Sequence, residues 1–438
     1  MNIIGSSGDR NSEMSKYRFI FDALTKKLPA IRLYLSSTGL LIAGLAAQSI
    51  GFVILARWLG SEQFGHLSMI TAASNLGSSW CSMGVLDTMR RRASREPSIY
   101  PDLLGHALIL LTITGTVLTT VMTAAIAFSM TVANDPVKNI VIIALLVCSN
   151  MVLFNVVTLG EVILLTHSQF TRANLLNFGF GLARTLAVVV ACLGFGVDSL
   201  GAWAWWNFAA FAAGLLVCVY LIFPYGAPRW RLMWDEILLG ATFGVTGTIA
   251  ALRQNVDLLA LSAVAPPQLI GAYGVARRVL AIAQVTGGSL DRLVYGKFAI
   301  AGKSGATATL ALARRYVLYA VGLTGLTSAA VFVVAPALPL VFGNGFVDMV
   351  WILRVLCWTL ILTGVQFIAF DAINAADQHR IRLIVSTVVG LSGAALIVGL
   401  SLAFGTTGTF SAVYVAEIST AVALWVTLKA LSDREQSQ

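Results

Sequence analysis

Long apolar runs separated by short polar turns make up most of the chain, and twelve of them fall near 38–58, 66–87, 104–127, 139–164, 174–194, 201–223, 236–255, 257–282, 314–335, 349–369, 383–404 and 409–430. Each is long enough to cross about 30 Å of hydrocarbon as a helix rising 1.5 Å per residue. Short connections predict antiparallel neighbours. The one long connection expected is 277–315, between the eighth and ninth runs. The pattern is sharpest over 40–95, where a run ends in Leu55-Ala56-Arg57-Trp58-Leu59-Gly60, turns at Ser61-Glu62-Gln63-Phe64-Gly65, and re-enters an apolar run that stops at Arg90-Arg91-Arg92. That is a helical hairpin in lipid. A variant, Ala263-Val264-Ala265-Pro266-Pro267-Gln268-Leu269-Ile270-Gly271-Ala272-Tyr273-Gly274, returns about half a chain later and predicts an internal repeat.

Composition agrees with this pattern. The 438 residues are 58% hydrophobic and 11% charged, against about 25% charge in ordinary soluble domains, so the chain is an all-α polytopic membrane protein. Cys81, Cys148, Cys192, Cys218 and Cys357 all lie in apolar runs without paired spacing and read as small hydrophobes. The first thirty residues are polar and charged, and the first apolar run is too long for a cleavable signal, so it is expected to stay as an anchor. Tyr17, Ile20, Phe21 and Leu24, among Lys16, Arg18, Lys26 and Lys27, fit either a short helix on an anionic bilayer surface or a disordered tail.

The net charge of +9 is a topology signal. With a cytoplasmic N-terminus, 24 of the 29 lysines and arginines fall on the cytoplasmic side; Arg57, Lys138, Arg253 and Arg354 fall at or near outer ends, and Arg184 lies within the fifth run. Both termini are then cytoplasmic, and no nucleic-acid partner is needed to explain the charge. Trp58, Trp203, Trp230, Trp234 and Trp351 lie near predicted helix ends, as interfacial aromatic belts do.

Five stretches in order, LARWLGSEQFGHLSMITA, VDLLALSAVAPPQLIGAYGVARRV, LPLVFGNGFVDMVWILRVL, DAINAADQHR and FGTTGTFSAVYVAE, resemble the polysaccharide transporter family of the multidrug/oligosaccharidyl-lipid/polysaccharide exporter superfamily, the bacterial O-antigen and exopolysaccharide flippases. The resemblance runs from about Tyr34 to about Lys429. It implies two pseudo-symmetric six-helix lobes around a central cavity, with a cytoplasmic tail over 1–33, lobes over 34–225 and 226–431, and a C-terminal tail over 432–438. It further implies that an undecaprenyl-diphosphate-linked oligosaccharide moves from the inner to the outer leaflet of the cytoplasmic membrane by alternating access, beside a polysaccharide polymerase and a chain-length regulator. Lipid II flippases carry fourteen spans, and this chain has no room for the extra pair. No cofactor and no metal is expected.

Such a cavity needs cations for phosphate, for which arginine is suited, and hydrogen-bonding or aromatic surface for sugar. An intramembrane ionisable group costs about 2.5–3.5 kcal/mol to insert, so each is a candidate. Arg184 shares a face with Asn177 and Gly181 and is either a cavity cation or the partner of Glu161 on the preceding span. Arg253, on a stripe with Thr242 and Thr246, either meets substrate or pairs with Asp257 at the outer end. Arg354, with Trp358 a turn later, offers a cation and a stacking ring, or is a snorkelling interfacial arginine. Polar faces at Thr71, Ser74, Asn75 and Ser78, and at Asn150, Asn155, Thr158 and Glu161, line a cavity or pack helices. Gln48 and Gln366 are isolated polar positions. Glu161, Asp257 and Glu417 are candidates for ion coupling, since a buried carboxyl can carry a proton. The basic residues of 277–315 read mainly as topology signals.

Other functions fit less well. Gly296-Lys297-Phe298-Ala299-Ile300-Ala301-Gly302-Lys303-Ser304 has one residue too many for a phosphate loop and no preceding strand. A glycan polymerase or transferase would need a large outward loop, and the four histidines fall at helix ends or loops. A multidrug-type cation antiporter of the same superfamily is the nearest alternative; its cargo would favour carboxylates over arginines.

Overall fold

The computed structural model describes residues 8–132 and 139–437, the side chains of 8–43 and of a few other residues excepted. Lys138 and the side chains of the N-terminal segment, Tyr17 to Leu24 included, therefore lie outside what is described. Helices account for nearly all the described residues, and no strand occurs among them.

Two of the helical stretches are each a pair of helices joined at a single glycine. α1 (Gly8–Cys81) is interrupted at Gly60 (φ 70°, ψ 170°). The last helix, α15 (His379–Gln436), is interrupted at Gly405 (φ 65°, ψ −141°). Glycine alone takes such positive φ freely, so each helix doubles back into two membrane passes. The first fold-back sets Phe52 edge-on to Phe64 at 5.2 Å between centroids; the second sets Ser401 Oγ 2.8 Å from Thr409 Oγ1.

Between them lie α2 (Val85–Ala93), which ends the second pass, α3 (Tyr100–Val132), α4 (Ile140–Cys148), α5 (Phe154–Thr166), α6 (Phe170–Val189), α7 (Leu200–Ile222) and α8 (Trp234–Ser262). α9 (Pro267–Ala283), α10 (Val285–Gly302), α11 (Ala306–Val334), α12 (Leu338–Phe342), α13 (Met349–Leu356) and α14 (Thr359–Ala375) follow. A π turn over Ser149–Leu153 joins α4 to α5 in one pass, and another over Val190–Gly194 ends the pass begun by α6. Eight of the described helices are long and apolar enough to cross a membrane. With both halves of α1, both halves of α15 and the α9–α10 pair counted as passes, the described residues make twelve, so the described chain begins and ends on one face. We call this the terminal face and the opposite side the hairpin face. Phe128, Leu216, Phe223 and Leu326 are strongly exposed, as lipid-facing side chains are.

Two sequence expectations need correction. The seventh pass runs to Ser262 and the eighth begins at Pro267, so the turn lies at 263–266, several residues later than hydropathy placed it. The long connection expected over 277–315 is almost wholly helical, through α9, α10 and the start of α11. Hydropathy failed here because α10 is short of apolar residues, while proline at the start of α9 fixes the true helix beginning.

The lobes meet along the repeated hairpins, and glycine permits the contact. A Cβ at Gly65 would lie 1.9 Å from the Pro267 carbonyl oxygen; one at Gly271 would lie 2.1 Å from that of Ser61. The two motifs thus pack reciprocally at the hairpin face, where the Gln268 side chain also donates to Glu62 at 3.0 Å. A second glycine pair works at the terminal face, Gly84 against Gly240, where a Cβ on either would stand 2.2 Å from backbone oxygen of the other segment. Beside it Arg92 pairs with the buried Glu236.

Gly271→Val should therefore force the hairpin face apart. Overpacking of this kind costs about 1–3 kcal/mol, so a cavity reporter, Ser68→Cys, should react roughly fivefold faster or more with an impermeant maleimide added on that face of proteoliposomes. Unchanged labelling would show that the seam opens without cost.

Candidate functional site

A cavity of about 440 Å³ lies between the lobes, lined from both halves of α1 and from α6, α7, α8 and α9. Its polar surface is amide-rich: Gln48, Asn75, Asn150, Asn207, Gln254 and Asn255 all line it. Asn150 comes from the first π turn, a distortion often found at functional sites. Asn75 of the first lobe donates to Asn255 of the second at 3.4 Å. Gly181 leaves room for Gln48, whose Nε2 would stand 2.7 Å from a Cβ there.

Among the described residues, three arginines line the cavity, Arg184, Arg277 and Arg278, and no carboxylate does. Arg184 lies near the middle of its pass, with its guanidinium 4.7 Å from the Phe211 ring centroid and 5.8 Å from that of Phe180. Arg278 comes from the opposite lobe and lies 5.7 Å over Phe52; its Nε is buried without a hydrogen-bond partner. Among the described residues, no hydrogen bond or ion pair engages the Arg184 guanidinium. Arg277 differs. It pairs with Asp257, which also accepts from Tyr273 Oη at 2.6 Å and from the Leu258 N–H at 2.8 Å.

A smaller cavity of about 140 Å³ lies within the second lobe, lined by Arg253, Asp257, Tyr273, Arg277 and Glu417 among others. Its charges are bridged by Gln366, which accepts from Arg253 at 2.9 Å and donates to Glu417 Oε2 at 2.6 Å. Two guanidiniums and two carboxylates balance there.

The polysaccharide biosynthesis protein family matches residues 33–289, more than half of the chain and the part that builds the central cavity. The chain belongs to this family. No curated protein matches it in sequence. Among solved structures, the lipid II flippase MurJ in an inward closed conformation superposes with a TM-score of 0.70 at 13% identity, covering 90% of this chain and 87% of that one. A multidrug resistance MATE transporter of the MOP superfamily in an inward-facing conformation gives 0.66 at 17%, covering 90% and 95%. An outward-facing conformation of such a transporter gives 0.52 at 18%, covering 92% and 97%. The polysaccharide biosynthesis family member described here thus has the fold of MOP-superfamily transporters.

Few of the residues singled out from sequence meet in one place. Arg184 lines the central cavity, and Glu161 is not its partner: it accepts from Asn177 at 3.0 Å, with Asn177 exposed away from the cavity. Arg253, Asp257 and Glu417 line the smaller cavity; Arg253 and Asp257, expected at an outer end, stand nine and five residues inside the end of α8 at Ser262, and Glu417 lies within the last pass as expected. Arg354 and Trp358 reach neither cavity. Both are exposed against Phe332, because the buried side of α13 is taken by Ile352, Leu353 and Leu356. Asn155 is buried and ties the fourth pass to Ser78. Thr158, Thr242 and Thr246 bond carbonyls of their own helices, the last two exposed. Trp203, expected in the interfacial belt, is buried and lines the central cavity.

Arg277 and Arg278, topology signals by sequence, are cavity residues in the structure. They stand ten and eleven residues into the eighth pass, about 15 Å along its axis, and so at mid-membrane. The Pro266-Pro267 helix start was the signal that could have placed them.

Gln366→Leu should remove the partners of both Arg253 and Glu417, at about 1–3 kcal/mol for each group left unsatisfied. In thermal unfolding in nanodiscs, its loss combined with Glu417→Gln should fall short of additivity by about 0.5–3 kcal/mol. Additive losses would show that the bridge is not formed.

Proposed function

We propose that this protein is a flippase that moves undecaprenyl-diphosphate-linked oligosaccharide repeat units from the inner to the outer leaflet of the bacterial cytoplasmic membrane, for surface or exopolysaccharide biosynthesis. One observation carries the reading: among the described residues, two guanidiniums without a hydrogen-bond or ion-pair partner, Arg184 and Arg278, face one amide-lined cavity from opposite lobes, and no carboxylate lines it. A diphosphate diester carries two negative charges. Two uncompensated arginines match them, and arginine can bind two phosphate oxygens at once. The amides and Trp203 supply hydrogen bonds and a ring for sugar, while the prenyl tail stays in lipid. A cationic drug would meet repulsion in the same cavity, which disfavours the antiporter reading.

The division into lobes over 34–225 and 226–431 fits this mechanism, since the cavity takes one free cation from each. The terminal face is rich in arginine at 90–92, 95, 229, 231, 314 and 315, which supports cytoplasmic termini. On that orientation the glycine seam at the hairpin face lies on the periplasmic side of the cavity. Two phosphate charges moving outward gain about 2.3 kcal/mol each per 100 mV of inside-negative potential, provided no protein cation moves with them. Asp257 and Glu417 are the coupling candidates for an ion; Glu161, held by Asn177 outside both cavities, fits that role less well. A polymerase and a chain-length regulator would receive the product.

Leaflet exchange of a fluorescent prenyl-diphosphate oligosaccharide in liposomes tests the reading. Arg184→Ala and Arg278→Ala should each slow exchange about tenfold or more, the worth of a hydrogen-bonded charge, while Arg354→Ala stays within about twofold. Wild type that moves no such lipid, yet exchanges a cationic dye for protons, would replace the flippase by the drug antiporter.

A further inference from the structure

Arg277 belongs to both cavities. Its side chain lines the central one and the smaller one, and the small residue one turn on, Ala281, lines both as well. The wall between the two spaces is built from this stretch of α9 together with α8, whose Asn255 and Leu258 line the central cavity while Arg253 and Asp257 line the smaller one. Adjacent residues on a helix point about 100° apart, so Arg278 faces Phe52 and the central cavity while Arg277 reaches back to Asp257.

We propose that Arg277 is a shared positioning residue: an anion in the central cavity and the Asp257 carboxylate compete for its guanidinium, so cargo binding unpairs Asp257. The proposal rests on the flippase reading for the anionic character of the cargo. Three features carry it. The Arg277 side chain is about one-third exposed although its partner is buried, with side-chain exposures of 32% and 10%, and it lines the central cavity as well as the smaller one, so an anion in the central cavity has access to it. Arg184 and Arg278 already concentrate positive potential there, which draws an anion to the side of the wall where Arg277 can meet it. Asp257 keeps two other donors, Tyr273 Oη and the Leu258 N–H, so it stays in place when the arginine turns away.

The charge balance of the smaller cavity then changes. Asp257 faces Arg277 and Tyr273 from α9, Arg253 from its own helix and Glu417 from the twelfth pass, with apolar or small residues such as Gly390, Ala394 and Ile397 on the eleventh. With Arg277 turned to the cargo, two carboxylates face one arginine, and the site has room for one positive charge. Occupancy of one cavity is thereby transmitted to the other through one side chain.

The test is calorimetric binding of inorganic pyrophosphate to the full-length protein in nanodiscs. If Asp257 competes for the arginine, Asp257→Asn should tighten binding about tenfold, Arg277→Ala should weaken it, and the double variant should bind like Arg277→Ala alone. A purely structural ion pair predicts the opposite sign: Asp257→Asn would weaken binding or leave it unchanged, and either result overturns the proposal. Infrared difference spectra of the wild type, which need no variant to fold, should show an arginine-paired carboxylate band lost on adding pyrophosphate; no change overturns it as well. Repeating the titration with and without sodium, at two pH values, identifies the positive charge that enters. Wild type that binds no pyrophosphate, with no effect of Arg184→Ala or Arg278→Ala, would overturn the flippase reading itself. Binding that needs those two arginines but ignores Asp257 would overturn only the exchange at Arg277.

Discussion

A guanidinium in hydrocarbon must be paired, solvated or kept at a cost of several kcal/mol, and that constraint orders the interior of this protein. Elsewhere within the membrane it is met: Arg253 rests on Gln366 and Arg277 on Asp257. Arg184 and Arg278 are different. Their neighbours are rings, Phe180 and Phe211 for one and Phe52 for the other, and a cation over a ring gains only about 0.5–2 kcal/mol. The aromatic faces hold the two side chains in position without neutralising them, and the remaining deficit is what an anionic ligand relieves. Stability alone gives no reason to place two like charges from opposite lobes across one cavity.

The smaller cavity follows the contrary rule. Gln366 is neutral and two-headed, an acceptor for Arg253 and a donor to Glu417, so it keeps a cation and an anion at a fixed separation without letting them collapse into a direct pair. Direct pairing would leave the rest of each group's hydrogen-bonding capacity unsatisfied in a low-dielectric site. The seventh, tenth and twelfth passes are thus tied by polar bonds inside the second lobe, and that lobe can move as a body.

How much of this was legible depended on the kind of signal. Apolar length gave the passes and the hairpins, because the requirement to satisfy the backbone inside lipid leaves helices as the form such a chain can take. The repeated glycine motif was visible too, but it read as turn chemistry; that Gly65 and Gly271 pack on each other is a property of two distant segments, which no local pattern carries. Arg184 stood out because it is flanked by apolar residues in a run of clear limits. Arg277 and Arg278 did not, since α10 is too short of apolar residues to extend its pass by hydropathy, and two arginines near an apparent helix end look like a topology signal. Helical direction misled as well: Thr242 and Thr246 share a stripe with Arg253 on paper, yet the threonines are exposed while the arginine turns into its lobe.

The glycine seams bear on how a transporter of this shape would switch. Passes two and seven touch over their length, at Asn75 and Asn255, at Ser79 and Gly247, and at Gly84 and Gly240, a line of contact about which the lobes of such a transporter would hinge. Pass eight meets the turn between the first two passes at the hairpin face, through Gly65 and Gly271, while α10 packs on α11 and α14 of its own lobe toward the terminal face. A rocking motion about the hinge line would separate the Gly65 and Gly271 backbones while leaving passes two and seven in contact. Backbone held against backbone without intervening side chains gives a seam with little to interdigitate, one that parts as a unit rather than residue by residue. On the flippase reading, the cargo anion lies beside that hinge, between Arg184 of one lobe and Arg278 of the other. Neutralising both charges removes the repulsion across the cavity, so the same ligand that relieves the electrostatic deficit also lowers the cost of bringing the lobes together around it.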